Sequence, residues 1–101
     1  MKKLLLTDYT FDGEQVFQVR PSVVAVLFNE AKLDGREVIR RDELAQKIET
    51  HTENEILLEE AEWSKVVSGL NATDLKPFGR SVVEFVRRVL DAPSVDVQER
   101  A

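Results

Sequence analysis

Cysteine is absent from this 101-residue chain, and histidine occurs once, at His51. No disulfide framework or thiolate metal site is available, and nucleophile–base catalysis would have to be built on one imidazole in the polar string Thr50-His51-Thr52. Paired histidines at helical spacing are missing, and residues 54–62 lack the alternating oxygen ligands and central glycine of a calcium loop. The four glycines, Gly13, Gly35, Gly69 and Gly79, stand too far apart for a phosphate loop or a dinucleotide fingerprint and read as turn or cap residues. No apolar run approaches the ~20 residues of a membrane span, and Met1-Lys2-Lys3-Leu4-Leu5-Leu6 holds too short an apolar stretch for a signal peptide. The expectation is a cytoplasmic protein without catalytic residues, cofactor, metal or membrane partner.

What is present suffices for one modest core. With 43% hydrophobic residues, a chain of this size buries roughly two-thirds of the surface its unfolded form exposes. A single domain over residues 1–92 is expected, followed by a flexible tail over 93–101 anchored by little more than Val95 and Val97. Residues 4–11 and 15–19 read as two strands around Asp12-Gly13, a dipeptide tolerant of the positive φ that a tight hairpin turn requires. A two-residue loop sets Tyr9 opposite Val16 and Leu6 opposite Val19.

Pro21 suits the start of a helix over residues 21–33, with Asp34-Gly35 as its stop. The core of that segment, Val23-Val24-Ala25-Val26-Leu27-Phe28, is apolar on every side, which makes it the most buried stretch in prospect; three valines keep a strand open as the alternative. A second helix is expected over residues 41–50 with the stripe Leu44, Ala45 and Ile48. Ile56-Leu57-Leu58 reads as a short strand or an extended lead-in. A third helix over residues 59–70 places Trp63, Val66, Val67 and Leu70 on one face. A fourth over residues 78–91 aligns Phe78, Val82, Phe85, Val86 and Val89, and Pro93 closes it. The predicted fold class is α+β, an N-terminal β-hairpin packed against three or four short helices. Leu6, Phe17, Val19, Val24, Leu27, Phe28, Leu44, Ile48 and Leu58 join the last two stripes as core candidates.

Charge is distributed unevenly behind a net of −5. Residues 42–62 hold eight acids and one lysine, a block of −7, whereas residues 76–88 carry +3 and Arg36, Arg40 and Arg41 outweigh Glu37. Such surfaces pair within the fold, remain solvated, or attract another copy head to tail. Glu84 has Arg80 and Arg88 four residues away on either side and is placed to pair on its own helix. Glu59, Glu60 and Glu62 are dense enough to contain an acid–base pair. The first turn of a helix collects acids for the dipole's sake, however, and nothing beside them separates their pKa values.

The remaining candidates concern recognition. Trp63 is either a core residue whose indole N–H reaches the edge or a partly exposed interface anchor. The acids Glu59, Glu60 and Glu62 and the bases Arg80, Arg87 and Arg88 are the complementary charged candidates for interaction. Residues 39–48 look like the first helix of a helix-turn-helix. An acidic loop and Glu59-Glu60-Ala61-Glu62 follow where a basic recognition helix belongs, so the phosphate backbone would be repelled. Nucleic-acid binding therefore falls to the last helix alone.

In order, Asp12-Gly13-Glu14, Arg41-Asp42-Glu43-Leu44-Ala45-Gln46-Lys47-Ile48, Ile56-Leu57-Leu58-Glu59-Glu60-Ala61-Glu62-Trp63 and a closing apolar helix resemble a type of small phage or prophage protein of about a hundred residues. The resemblance spans residues 4–92 and brings no catalytic residues with it. It implies an accessory or morphogenesis component acting through protein contacts in a bacterial host, with itself or a phage structural protein as partner and possible association with the virion. The functional expectation is a non-enzymatic protein–protein interaction module, homo-oligomeric if a sheet edge is left unpaired. The alternative is a nucleic-acid-binding regulator using the C-terminal basic helix.

Overall fold

The computed structural model describes residues 1–95. In chain order its elements are β1 (Lys2–Leu5), β2 (Tyr9–Phe11), β3 (Gln15–Phe17), α1 (Val19–Val26), α2 (Gly35–Thr50), β4 (Glu55–Leu58), α3 (Glu60–Asn71), a 3₁₀ segment (Lys76–Val82) and α4 (Val83–Leu90). The fold class is α+β, with two separate two-stranded antiparallel sheets.

The N-terminal strand divides its faces by alternation. Leu4 and Leu6 are buried and Leu5 is exposed, and a strand with one such face needs a partner carrying the same pattern. Ile56 and Leu58 supply it: β1 pairs with β4, Lys2 opposite Leu58 and Leu4 opposite Ile56, and Leu6 N–H donates to Asn54 O. The expected pairing of Leu6 with Val19 is thus replaced, and residues 55–58 form a true strand. The other edge of β1 takes the chain's far end, through Lys3 N–H to Pro93 O, Val95 N–H to Met1 O and a bridge between Lys2 and Ser94. The rest of the expected tail, residues 96–101, lies outside the described residues.

The hairpin consists of β2 and β3 only, and its register differs by one residue from the expected one. Tyr9 pairs with Phe17 and Phe11 with Gln15 around Asp12-Gly13-Glu14, with φ of 49° at Asp12 and 85° at Gly13. Aromatic packing accounts for the shift. Because a one-residue slip turns every side chain over, this register alone sets Tyr9, Phe11 and Phe17 on one face. There Tyr9 stacks on Phe17 at 5.1 Å and Phe17 meets Phe85 at 5.3 Å, with Val16 outside.

The first helix is shorter than expected and shifted toward the N-terminus. It opens at Val19, whose N–H donates to the Asp8 carboxylate, so Pro21 falls within the first turn, where no intrahelical donor is lost. It stops at Val26. Asp34-Gly35 is a start instead of a stop: the Asp34 side chain accepts from Glu37 N–H at 2.8 Å and caps α2. Asp34-Gly35-Arg36-Glu37 has the acceptor-x-x-Glu spacing of a helix N-terminus, and α2 accordingly begins six residues before the expected Arg41. Its C-terminus is tied down by Arg20, whose guanidinium donates to the carbonyls of Ile48, His51 and Glu53.

Gly69 sits inside α3 as a packing residue, not as a cap. A Cβ there would lie 2.0 Å from the Val26 carbonyl oxygen, so the missing side chain is what lets α1 and α3 touch backbone to backbone. The expected fourth helix is broken at Gly79, where φ of 57° and ψ of −134° kink the chain within the 3₁₀ segment, and the α-helix begins only at Val83. The core gathers between the β1–β4 sheet and the helices, with Leu4, Leu27, Ile48, Leu58, Leu70 and Phe85 almost wholly buried. Two predicted core residues are not in it: Phe28 is 41% exposed and Phe78 49%.

Candidate interaction face

The charged candidates are largely engaged inside the fold. The Glu62 carboxylate accepts from Glu59 N–H and from Lys47 Nζ at 2.9 Å, which ties the start of α3 to α2. Glu59 is the N-cap of α3 and Glu60 lies in its first turn, where negative charge offsets the unpaired amides. Trp63 is half-buried; its indole N–H donates to Val89 O at 2.8 Å, and the Lys2 ammonium lies 4.6 Å from its ring centre. Arg88 donates to Glu84 and Thr7 O and lies 5.2 Å from the Tyr9 ring. Arg80 and Arg87 are exposed, and neither forms an ion pair among the described residues. These seven residues therefore do not converge on one site. His51 Nε2 lies 2.7 Å from Glu55 O, a contact in which it donates to the outer edge of β4.

Sequence reasoning counted Arg41 in a basic surface patch, but the fold buries it to 4% exposure. Its guanidinium donates to Leu27 O and Lys65 O and pairs with Glu30 at 2.9 Å and Glu37 at 2.7 Å. Burial works against its charge, yet the hydrogen bonds it donates to the two carboxylates outweigh that and hold the group above its ordinary value. Glu37 also takes Lys65, and the bonds from Arg41 and Lys65 keep its carboxyl below the usual glutamate range. Position along a helix carries no sign of this role, because an arginine on a surface and one under a helix end have the same sequence.

The surface that stands out lies elsewhere. The hairpin, α1 and the 3₁₀ segment enclose an open groove of about 530 Å³ floored by Phe17, Val26, Val82 and Phe85. Tyr9 fastens the hairpin end: its hydroxyl donates to Ser81 O at 2.5 Å and accepts from Phe85 N–H, satisfying an amide in the first turn of α4. Burial pushes this phenol above its ordinary value, opposed by the Phe85 N–H and the charge of Arg88. At the other end Asn29 donates to Thr73 Oγ1 at 2.8 Å.

Three segments present uncovered apolar side chains around this groove. On α1, Pro21 and Ala25 are exposed, and Phe28 follows one turn later. The hairpin adds Val16 at 55% exposure, and the kink at Gly79 leaves Phe78 on the rim. None of the fifteen lining residues is charged, in a chain that is one-third charged. The run Val23-Val24-Ala25-Val26 within α1 is wholly apolar, yet Ala25 in it is exposed. The signal was in the sequence, in residues 23–28, and was read there only as burial.

Among the described residues no cluster of His, Asp or Glu is arranged to hold a metal ion, and no helix is long and apolar enough to cross a membrane. Compared with models of known protein families, with curated proteins and with solved structures, the chain matches none of them.

Proposed function

We propose that this chain is a non-enzymatic protein–protein interaction module that binds its partner through the uncharged face formed by α1, the hairpin tip and the 3₁₀ segment. One observation carries the reading: Pro21 and Ala25 of α1, together with Val16 and Phe78, are exposed apolar residues lining one groove without a charged residue. Contiguous apolar surface of this kind costs free energy in water and marks sites of association. The resemblance to small phage or prophage proteins supports an accessory or morphogenesis role in the cytoplasm of a bacterial host or on the virion. Recognition of nucleic acid by the last helix is the less favoured alternative, since Arg88 is committed to Glu84 and Thr7, Arg80 lies in the 3₁₀ segment before it, and only Arg87 remains on α4.

The test is site-specific crosslinking in cells with a photoreactive phenylalanine analogue at position 78, compared with the same group at Glu43 on the exposed side of α2. Discrete adducts from position 78 exceeding those from position 43 are expected. Equal, diffuse labelling at both positions would remove the proposed face.

A further inference from the structure

We infer that the outer edge of β4 receives an extended strand of a partner protein, one with basic side chains at alternate positions. This surface is separate from the uncharged face above and does not depend on it. The bonding of β1 decides which groups β4 leaves over. Lys3 N–H turns away from β4 to Pro93 O, whereas Leu6 N–H reaches across to Asn54 O. Antiparallel strands alternate in this way, so with Lys3 opposite Leu57 and Leu4 opposite Ile56, Glu55 and Leu57 direct their N–H and C=O groups outward. His51 occupies the Glu55 carbonyl. Among the described residues, the Glu55 N–H and both main-chain groups of Leu57 have no partner. An open hollow of about 420 Å³ borders His51, Glu53, Glu55 and Leu57. An added strand satisfies such a row through its own main chain, and its alternate side chains set the specificity.

Charge selects the occupant. At alternate positions along this edge stand Glu53, Glu55, Leu57 and Glu59, all exposed. Lys3 pairs with Glu55 at 3.3 Å and Lys47 with Glu62, while Glu53 and Glu59 have no ion pair among the described residues. A second copy docked here about a two-fold axis would run antiparallel to β4. Each register centred on residues 55–57 then sets Glu55 opposite Glu55, Glu55 opposite Glu59, or Glu53 opposite Glu59. Like charges directly opposite destabilise a sheet. Arginine or lysine at those positions is attracted instead, with an apolar residue opposite Leu57.

The probe is the peptide acetyl-Arg-Val-Leu-Val-Arg-Val-Arg-amide, which, antiparallel to residues 53–59, sets arginine opposite each glutamate and leucine opposite Leu57. Fluorescence anisotropy with the full chain should show binding in about the 10–500 µM range. It weakens at least about fivefold between roughly 50 and roughly 300 mM salt, and amide hydrogen exchange slows at Leu57. N-methylation of the leucine and the middle arginine removes the donors facing β4 and weakens binding about tenfold or more. The same change at the valines on either side of the leucine, whose amides face away, costs less than about threefold. Glu53→Gln weakens binding, and His51→Ala, which releases the Glu55 carbonyl, strengthens it. Phe78→Asp, in the groove, leaves it unchanged, with circular dichroism confirming that each variant is folded. No binding by this peptide, equal losses from the two methylations, equal binding when glutamate replaces its arginines, or loss of binding in a folded Phe78→Asp chain each overturns the inference.

Discussion

The two sides of α1 are finished in different ways. Toward α2 and α3, the Leu27 carbonyl accepts from the buried Arg41, Gly69 brings the α3 backbone against Val26, and Val19 and Val23 have no exposure. Toward the groove, Pro21 and Ala25 remain exposed along its wall. One side is held by directional polar bonds and close packing, which allow one geometry. The other offers apolar area without a charge or a bond to fix what covers it. The difference teaches where each kind of residue is used in this molecule: the buried ion network positions α1, and the uncharged outer stripe is the surface proposed above for recognition.

Breaking the inner side has the largest expected effect. Arg41→Ala leaves the Leu27 carbonyl and the Glu30 and Glu37 carboxylates without their shared donor, at a cost of about 3–5 kcal/mol in urea denaturation. A loss below about 1 kcal/mol would show that the network is not what holds α1. Gly69→Ala comes next. Helix propensity alone favours alanine by about 1 kcal/mol, yet the added methyl meets the Val26 carbonyl, and a net loss of about 1–3 kcal/mol is expected. A stabilised variant would mean that α1 and α3 do not approach so closely.

The third effect depends on pH. Glu37 is held below the ordinary glutamate value by its bonds from Arg41 and Lys65, so the folded state binds its proton less readily than the unfolded chain. The stability this adds is present above the unfolded value of about 4.3 and is lost as pH falls through the lower folded value. Glu37→Gln should therefore flatten the acid limb of the stability profile below about pH 5; an unchanged limb would place the acid sensitivity in another carboxylate. The smallest effect belongs to the outer side. Ala25→Gln, on the exposed stripe, should change stability by about 0.5 kcal/mol or less, and a large loss there would show that the stripe is covered within the monomer.

Much of the helical half of the fold was readable in advance. Leu44, Ala45 and Ile48 form the buried stripe of α2, and Val66 and Leu70 lie in the core with Trp63 and Val67 packed against it. These faces follow from local spacing, which a helix preserves wherever it packs. The hairpin was legible from Asp12-Gly13, but its register was not, because the choice turned on Phe17 stacking between Tyr9 and the distant Phe85. Asp34-Gly35 was misread because the same two residue types end helices and begin them; the deciding bond runs to Glu37 N–H. The charged interaction candidates were chosen as surface groups, and Glu62 and Arg88 proved to have partners within the fold. The groove was missed because its walls come from three segments far apart in sequence.

By itself the sequence determined the fold class, the order of the four helices, the position of α3 and the faces of α2 and α3, since periodicity and turn residues act over a few neighbours. Only the tertiary structure decided that β1 lies between β4 and residues 93–95, that Arg41 lies under α1, and that one side of α1 stays exposed. Apolar spacing states that a side chain seeks cover, not which element supplies it. The outward Pro21 and Ala25 of α1 are left exposed among the described residues.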